Sequence, residues 1–499
     1  MLSNDAVRMG IRRSVIYGSG MIREGRNCWR IERADRMAVI IDADAYFAAA
    51  REAFLGARRR IMLVGWDFDA RIRLSGEERG DGEPAALGEF LYWLVERNPE
   101  LELYLLRWDI GALKAIFRGT TIFTVAKWMA HPRIHTKLDG HHPTGSSHHQ
   151  KIVSIDDCLA FCGGIDMTAD RWDTRAHRDH EPGRRQPNGK PYKPWHDATT
   201  AVSGPAAAAL AQACRDRWER AAGERLEPID IEEPCWPAGL PAVAEAVEVA
   251  IARTLPEMPD QKPIFEIEQL FLDQIASARR IIYFESQYFA SRRIAEAIAA
   301  RLDNPDCPEI VIINPLTAQG WLEPIAMDTA RARLMAELSQ RDRQGRLRMY
   351  HPHTTAGDPI YVHAKIAIVD EAQLRVGSAN MNNRSLRLDT ECDILIDAGT
   401  PGNTLSSAIL GIRNGLVAEH LGLPQERVEA VLDETGSLIS TIERLRGGGK
   451  TLRPYTIPEL DRITAWLADN EVLDPESPAD MFEPLSGGGL FSRLRRPAR

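Results

Sequence analysis

One short polar pattern, His-x-Lys followed by Asp five residues after the Lys, occurs twice in this chain. The first copy lies in HHQKIVSIDD and the second in VHAKIAIVD, giving the candidate catalytic residues His149, Lys151, Asp156, His363, Lys365 and Asp370. An imidazole can attack phosphorus or transfer a proton near neutral pH, and an ammonium group neutralises phosphate oxygens. Two copies of each group predict one shared site for phosphoryl transfer, in which one imidazole is the nucleophile and the other is the general acid.

The residues that follow each copy repeat as well. A pair of small residues lies at the same offset from each histidine, and a short polar residue follows at a second matched offset. A single copy of such a pattern is a weak signal, so the matched offsets strengthen the prediction considerably. The candidate substrate-binding residues from these positions are Gly164, Asp166, Ser378 and Asn380. Because its charge would repel a phosphate, Asp166 is expected to hold a lysine or backbone N–H groups.

A nucleophilic imidazole is usually held in the right tautomer by a carboxylate on its other ring nitrogen. Each half of the chain offers a carboxylate just before a further apolar run. These are Asp197 in PWHDATTAVSG and Glu391 in LDTECDILID, with Asp389 as the competitor of Glu391. No divalent metal and no other cofactor are expected, because the lysines and an imidazolium supply the positive charge.

Two aromatic residues are candidates for contact with the substrate. Trp195 directly precedes the PWHD histidine and carboxylate, and Tyr288 lies at the end of the apolar run RIIYFESQYF. Either could line the channel that admits the substrate. Burial in the core explains each of them at least as well, since buried aromatic residues are common.

The predicted elements repeat in the same order as the motifs. Helices are expected over 45–57, 85–97, 267–278 and 293–301, and strands over 60–67, 101–108, 280–289 and 309–314. Both His-Lys motifs open an apolar run, and residues i and i+2 of a strand share a face, so each pair should point at one anion. We therefore predict an α/β fold of two pseudo-symmetric lobes. Each lobe should be a mixed, largely parallel sheet flanked by helices, with the active site at the lobe interface.

Composition shifts suggest where the units begin and end. We predict an N-terminal segment over 1–24, a first lobe over 25–226, a linker over 227–263, a second lobe over 264–443 and a C-terminal segment over 444–499. The linker is rich in proline and acidic residues and is expected to hold one helix. The C-terminal segment is expected to contain a helix over 458–470 and a mobile tail.

Composition also limits the class of protein. A hydrophobic content of 44% and a charged content of 27% are those of a globular protein. A net charge of -9 argues against a protein that coats nucleic acid. The chain has no run of about 20 apolar residues that would span a membrane. With no leader recognised and seven scattered cysteines, we expect a cytoplasmic protein with reduced thiols and, at most, peripheral membrane association.

Together, HHQKIVSIDD, AFCGGIDMTADRWDTRAH, PWHD, VHAKIAIVD and GSANMNNRS resemble the motifs of the phospholipase D superfamily. The narrower resemblance is to its phosphatidylcholine-hydrolysing branch. It implies two α/β lobes with the site at their seam, His149 as nucleophile and His363 as acid. It also implies a structural role for Asp156 and Asp370, and transfer to an alcohol in competition with hydrolysis.

The leading hypothesis is therefore a phospholipase D that cleaves the distal phosphodiester of a phosphatidylcholine-like glycerophospholipid through a phosphohistidine. The alternative is a phosphatidyltransferase similar to cardiolipin synthase, and a nuclease is less favoured. The expected partner is a glycerophospholipid at a membrane surface, with no nucleic acid, and the protein is expected to be a monomer.

Overall fold

The structure, a computed structural model, describes residues 16–17, 20–74, 82–109, 121–230, 235–319, 327–399 and 402–458. Its strands are β1 Ile16–Tyr17, β2 Ile22–Arg23, β3 Arg30–Ile41, β4 Arg60–Gly65, β5 Glu102–Trp108, β6 Ile134–Asp139, β7 Ile152–Ile155, β8 Leu159–Gly163, β9 Trp195–His196, β10 Ala198–Ser203, β11 Ala244–Leu255, β12 Ile264–Phe265, β13 Ile281–Glu285, β14 Glu309–Ile313, β15 Leu347–His353, β16 Tyr361–Val362, β17 Ile366–Val369, β18 Gln373–Gly377, β19 Glu391–Asp397 and β20 Thr451–Pro454.

The described helices are α1 Ala43–Gly56, α2 Leu87–Arg97, α3 Thr121–Met129, α4 Pro205–Ala222, α5 Glu266–Ser277, α6 Arg292–Leu302, α7 Thr329–Arg341, α8 Thr404–Leu421, α9 Gln425–Thr435 and α10 Leu438–Leu445, with a π-helical turn over Arg384–Leu388. The helices predicted over 45–57, 85–97, 267–278 and 293–301 and the strands predicted over 60–67, 101–108, 280–289 and 309–314 are found, with their ends displaced by up to four residues.

One 16-stranded sheet runs through both halves of the chain. At its centre the two 12-residue strands β3 and β11 pair antiparallel. Outward from this pair the order is β10, β8, β7, β4, β5, β6 in the first half and β19, β18, β17, β13, β14, β15 in the second. The two halves therefore have the same topology, and the predicted α/β fold with two pseudo-symmetric parts is confirmed.

The sheet is mixed, as expected, but its parallel portion is smaller than expected. Parallel pairing is confined to β4, β5 and β6 in the first half and to β13, β14 and β15 in the second. The strands nearer the centre pair antiparallel, because short turns join β7 to β8 and β17 to β18. Helical crossovers, which parallel strands require, lie only in the outer parts.

The prediction of a helix within 227–263 is wrong, because this stretch contains β11. The segment AEAVEVAIARTL is a strand that pairs with β3 on one side and β19 on the other. Its Val247, Val249 and Ile251 alternate at the period of a strand and are buried. Part of the predicted linker, residues 244–255, therefore lies at the centre of the sheet. The predicted domain limits stay a prediction.

Apolar packing joins the two halves on one face of the sheet. There a single core contains Trp218 of α4 and Leu416 of α8 together with strand residues of both halves. On the other face each half has its own core, around Phe54 of α1 in the first and Phe271 of α5 in the second. Because protein cores are close-packed, the shared core fixes the position of one half against the other.

The expectation that all the cysteines are reduced is wrong. Cys158, in the turn between β7 and β8, forms a disulfide with Cys235, and their Cα atoms are 6.1 Å apart. The remaining cysteines are buried free thiols. The pairing joins residues 77 positions apart, and the sequence contains no spacing that would reveal it.

No helix in the described ranges is both long and apolar enough to cross a bilayer. The predicted helix over 458–470 and the C-terminal tail lie, apart from residue 458, outside the described residues.

Candidate active site

The two His-Lys motifs lie in extended segments immediately before β7 and β17. Each segment is paired with a segment of the opposite half. The backbone N–H of His149 donates to the carbonyl of Thr390 at 3.0 Å, and that of His363 donates to the carbonyl of His196 at 2.7 Å. The parallel pair β9–β16 extends the second of these contacts. Both histidines are therefore anchored at the seam.

The imidazole rings of His149 and His363 face one another across this seam. Their centroids are 6.5 Å apart and their planes are inclined by 57°. The side chains are 16% and 6% exposed, respectively, so the space between them is close to the surface but largely shielded. Reacting atoms approach to about 3–3.5 Å before bond formation, so the gap suits two groups that flank one phosphorus atom.

Each imidazole is held by a carboxylate from the opposite half. Nδ1 of His149 lies 3.0 Å from both carboxylate oxygens of Glu391, and Nδ1 of His363 lies 2.7 Å from Oδ2 of Asp197. Both carboxylates are fully buried. The ionised form of each carboxyl group accepts the Nδ1 proton, and Nε2 is then the reactive nitrogen of the neutral ring. The sequence suggested these carboxylates, but it did not reveal that the pairing crosses the seam.

Gly164 and Ser378 lie against the two orienting carboxylates. A Cβ at Gly164 would lie 2.3 Å from Oδ1 of Asp197, so only glycine allows this approach. At the matching position, Oγ of Ser378 donates to Oε2 of Glu391. Their assignment as substrate-binding residues stays a prediction, and the contacts present are with the two buried carboxylates.

Each lysine contacts the backbone carbonyl of the histidine in its own motif, and the two lysines differ in their other partners. Nζ of Lys151 donates to the carbonyl of His149 at 2.6 Å and lies 3.3 Å from Oδ2 of Asp166. Nζ of Lys365 contacts the carbonyl of His363 and lies 3.3 Å from Oε1 of Gln287. The contact with Lys151 agrees with the expectation that Asp166 holds a lysine.

Gln287, which the sequence analysis missed, links several groups of the second half. Its Oε1 accepts from Lys365 and from Nδ2 of Asn380 at 3.4 Å. Its Nε2 donates to the hydroxyls of Tyr288 at 3.0 Å and Tyr361 at 2.9 Å. The available signal was its position just after β13, which matches Trp66 just after β4. Asn380 and Tyr288 are therefore linked to Lys365 through the amide of Gln287.

Trp195 lies beside the second imidazole. Its ring is 5.1 Å from that of His363 and 4.7 Å from that of Tyr361. The guanidinium of Arg171 lies 4.3 Å above the indole. Trp195 is 4% exposed, so it acts as a wall of the site around His363.

The motif aspartates are structural, so their inclusion among the catalytic candidates is corrected. The carboxylate of Asp156 accepts the backbone N–H groups of residues 58–60 at 2.7–2.8 Å. Asp370 does the same for residues 279–281 at 2.5–2.9 Å. Each aspartate follows its strand, whereas the histidine precedes it, which separates them by roughly 20 Å. These carboxylates tie the hairpin to the start of the neighbouring strand.

Burial and the two lysines shape the ionisation of the site. Burial, and then the positive charge of Lys151, hold the pKa of His149 well below its usual value. Burial and Lys365 do the same to the pKa of His363. Burial also lowers the pKa of Lys365 to about 7 and raises the pKa of Glu391 to about 8. Without an anion between the lysines, the imidazoles are therefore neutral.

A second buried polar cluster adjoins the site and was missed by the sequence analysis. It consists of Asp42, His177, His196 and Glu419, whose ligand atoms all lie within 4.8 Å of one another. The far nitrogen of His177 contacts Asp173 at 3.1 Å, and that of His196 contacts Glu285 at 2.8 Å. Carboxylates in this position orient metal-ligating histidines. The cluster could hold a divalent cation, so the expectation of no metal stays a prediction.

Two family models match successive parts of the chain. The model described as Phospholipase D matches residues 53–248, and the one described as Cardiolipin synthase, PLD-like domain, matches residues 271–406. Each match contains one His-Lys motif, and the duplicated sheet carries both motifs to one seam. The chain belongs to the phospholipase D superfamily.

Two relatives with curated names match most of the chain at low sequence identity. Phospholipase D alpha 2 of Oryza sativa subsp. japonica is 23% identical over 82% of this chain and 65% of its own length. Phospholipase D A of Dictyostelium discoideum is 23% identical over 80% of this chain and 36% of its own length. The chain thus spans less than two thirds of the length of these relatives.

Among solved structures, the phosphatidylserine synthase of Haemophilus influenzae Rd KW20 is similar in fold. The TM-score is 0.52 at 13% identity, and the match covers 83% of this chain and 97% of the synthase. At this identity the likeness concerns the fold alone.

Proposed function

We propose that the protein is a phospholipase D that hydrolyses the distal phosphodiester of a glycerophospholipid, giving phosphatidate and a headgroup alcohol. The observation that carries this proposal is the pair of imidazoles 6.5 Å apart, each with its Nδ1 held by a carboxylate of the opposite half. Lys151 and Lys365 beside them supply the charge that a phosphodiester needs. Membership of the superfamily supports the same reaction.

In the first step, the neutral Nε2 of His149 attacks phosphorus and the bond from phosphorus to the headgroup oxygen breaks. His363 gives its Nε2 proton to the departing oxygen, which leaves as the alcohol. The phosphate that binds between the lysines raises the pKa of His363, so this imidazole takes up its proton when the substrate arrives. In the second step, His363 removes a proton from water, the water oxygen attacks phosphorus, and the bond to His149 breaks.

A phosphatidyltransferase is the second candidate. It differs only in the second step, where an alcohol replaces water as the acceptor. The match of the second half to a model described as Cardiolipin synthase, PLD-like domain, favours this alternative. A nuclease has less support, because the chain carries both motifs and has a net charge of -9.

The oligomeric state, the membrane contact and the cellular location are also proposals. We infer a monomer that contacts the membrane surface peripherally. The cytoplasmic location expected from the sequence has an observation against it, since the Cys158–Cys235 disulfide is typical of oxidising compartments.

The test is an assay of purified protein against vesicles of single phospholipids and, separately, against a plasmid, with mass spectrometry of the products. A phospholipase D releases phosphatidate and free headgroup, and added primary alcohol diverts part of the product to a phosphatidyl alcohol. Transfer without hydrolysis would favour the second candidate. Cleavage of the plasmid with no lipid product would overturn the proposal.

A further inference from the structure

The part of the site around His363 contains a third cation besides the lysines. The guanidinium of Arg171 lies 4.3 Å above the ring of Trp195, and that ring is 5.1 Å from His363. After burial and Lys365, the charge of Arg171 contributes to the low pKa of His363. The charge of Arg171 therefore acts on the imidazole that serves as the general acid for the departing headgroup oxygen.

The guanidinium is incompletely satisfied. Its Nη1 donates to the carbonyl of Asp170 at 3.3 Å, but its buried Nε has no hydrogen-bond partner among the described residues. The carboxylate of Asp197 is engaged with His363 at 2.7 Å, and that of the adjacent Asp170 accepts from Gln186 at 2.9 Å through Oδ2, while its buried Oδ1 has no hydrogen-bond partner among the described residues. A buried donor without a partner is costly, so an anionic group brought by a ligand would be stabilised here.

The same arrangement disfavours a quaternary ammonium headgroup. Aromatic faces bind choline-like cations through cation–π contacts. Here the indole of Trp195 already carries Arg171 and packs against Tyr361 at 4.7 Å. A choline nitrogen would meet a like charge instead of a free aromatic face.

We propose that Arg171 binds an anionic group carried by the headgroup itself, such as a carboxylate or a second phosphate, and that the enzyme selects such lipids over choline lipids. This inference rests on the proposed function, because it places the headgroup beside His363. It revises the phosphatidylcholine-like substrate expected from the sequence.

Dihexanoyl phosphatidylserine, phosphatidylglycerol and phosphatidylcholine, used below their micellar concentrations, would test this without the effect of membrane charge. The wild-type protein is expected to show a kcat/KM about tenfold higher for the serine lipid than for the choline lipid, as one charged hydrogen bond would give. The glycerol lipid, with a neutral headgroup, should lie between them. Arg171→Gln should remove most of the serine-over-choline ratio, whereas the exposed Arg178→Gln (side chain 71% exposed) should keep it.

The outcomes separate this inference from the proposed function. No hydrolysis of any lipid by the wild-type protein would overturn both. Hydrolysis with equal or better use of the choline lipid would overturn only the role of Arg171. An equal loss of kcat/KM for all three lipids in Arg171→Gln would also overturn only the role of Arg171. The serine-over-choline ratio of the wild-type protein tests the inference even if the variant does not fold.

Discussion

Glu391, the first residue of β19 in the second half, accepts the Nδ1 proton of His149 from the first half. Asp197 of the first half accepts that of His363 of the second. Neither half alone therefore contains a complete pair of imidazole and orienting carboxylate. The duplicated chain forms a single site because each half completes the other.

Replacing Glu391 by Gln should nearly abolish turnover while preserving the fold. An amide can present its N–H to Nδ1 and favour the wrong tautomer of His149, which in a comparable triad lowers kcat about 10⁴-fold. The measurement is kcat for headgroup release, together with the thermal midpoint of unfolding. The matched control is Glu245→Gln, a side chain that is 69% exposed. A loss of less than about tenfold in Glu391→Gln would contradict this role.

Replacing Asp156 by Asn should reduce stability and leave the chemistry intact. The carboxylate of Asp156 accepts three backbone N–H groups, and losing charge-assisted hydrogen bonds of this kind costs about 2 kcal/mol. Urea unfolding measures the free energy, and kcat per folded molecule should stay near that of the wild type. Asp35→Asn, at a side chain that is 57% exposed, is the control. A variant of normal stability but no activity would show that Asp156 takes part in the reaction.

The two site imidazoles should be neutral in the ligand-free protein even at about pH 6, where an ordinary histidine is mostly protonated. Burial and the neighbouring lysines cause this shift. Inorganic phosphate should raise the pKa of one of them, because an anion offsets both effects. Nitrogen NMR of the side chains, assigned with His149→Asn and His363→Asn, measures the protonation directly. Two protonated rings without phosphate would be inconsistent with this electrostatic account.

Thiol counting tests the disulfide. Protein unfolded without a reductant should titrate five thiols, those of the free cysteines, and reductant should release two more. Cys158→Ser should destabilise the protein by about 3–4 kcal/mol, since the disulfide closes a long loop. Seven reactive thiols in unreduced protein isolated under non-reducing conditions would instead support the cytoplasmic location.

Much of the fold was predictable because duplication leaves a repeated pattern. The two motifs, the matched helices and strands, and the carboxylates Asp197 and Glu391 could all be read from local spacing. The crossed pairing could not be read, because it depends on how β3 meets β11 at the centre of the sheet. The 244–255 strand was missed for the same reason: its flanking prolines and acidic residues suggested a linker, although its valines alternate.

Contacts between residues far apart in the chain account for other features that the sequence did not reveal. The offsets of Gly164 and Ser378 did not show that these residues lie against Asp197 and Glu391. The cluster around His196 went unnoticed because Asp42 and Glu419 lie at opposite ends of the chain. Clusters whose members come from distant parts of the chain leave no recognisable spacing in the sequence.

The central claim is that His149 attacks phosphorus while His363 serves as the acid and base, and burst kinetics with a p-nitrophenyl ester of phosphatidate test it most directly. This leaving group needs no proton, so His363→Asn should release about one equivalent of p-nitrophenol and then stall, with a phosphatidyl adduct on His149 by mass spectrometry. His149→Asn should release none. Full turnover in either variant, or an adduct on His363 in the wild-type protein, would contradict the account.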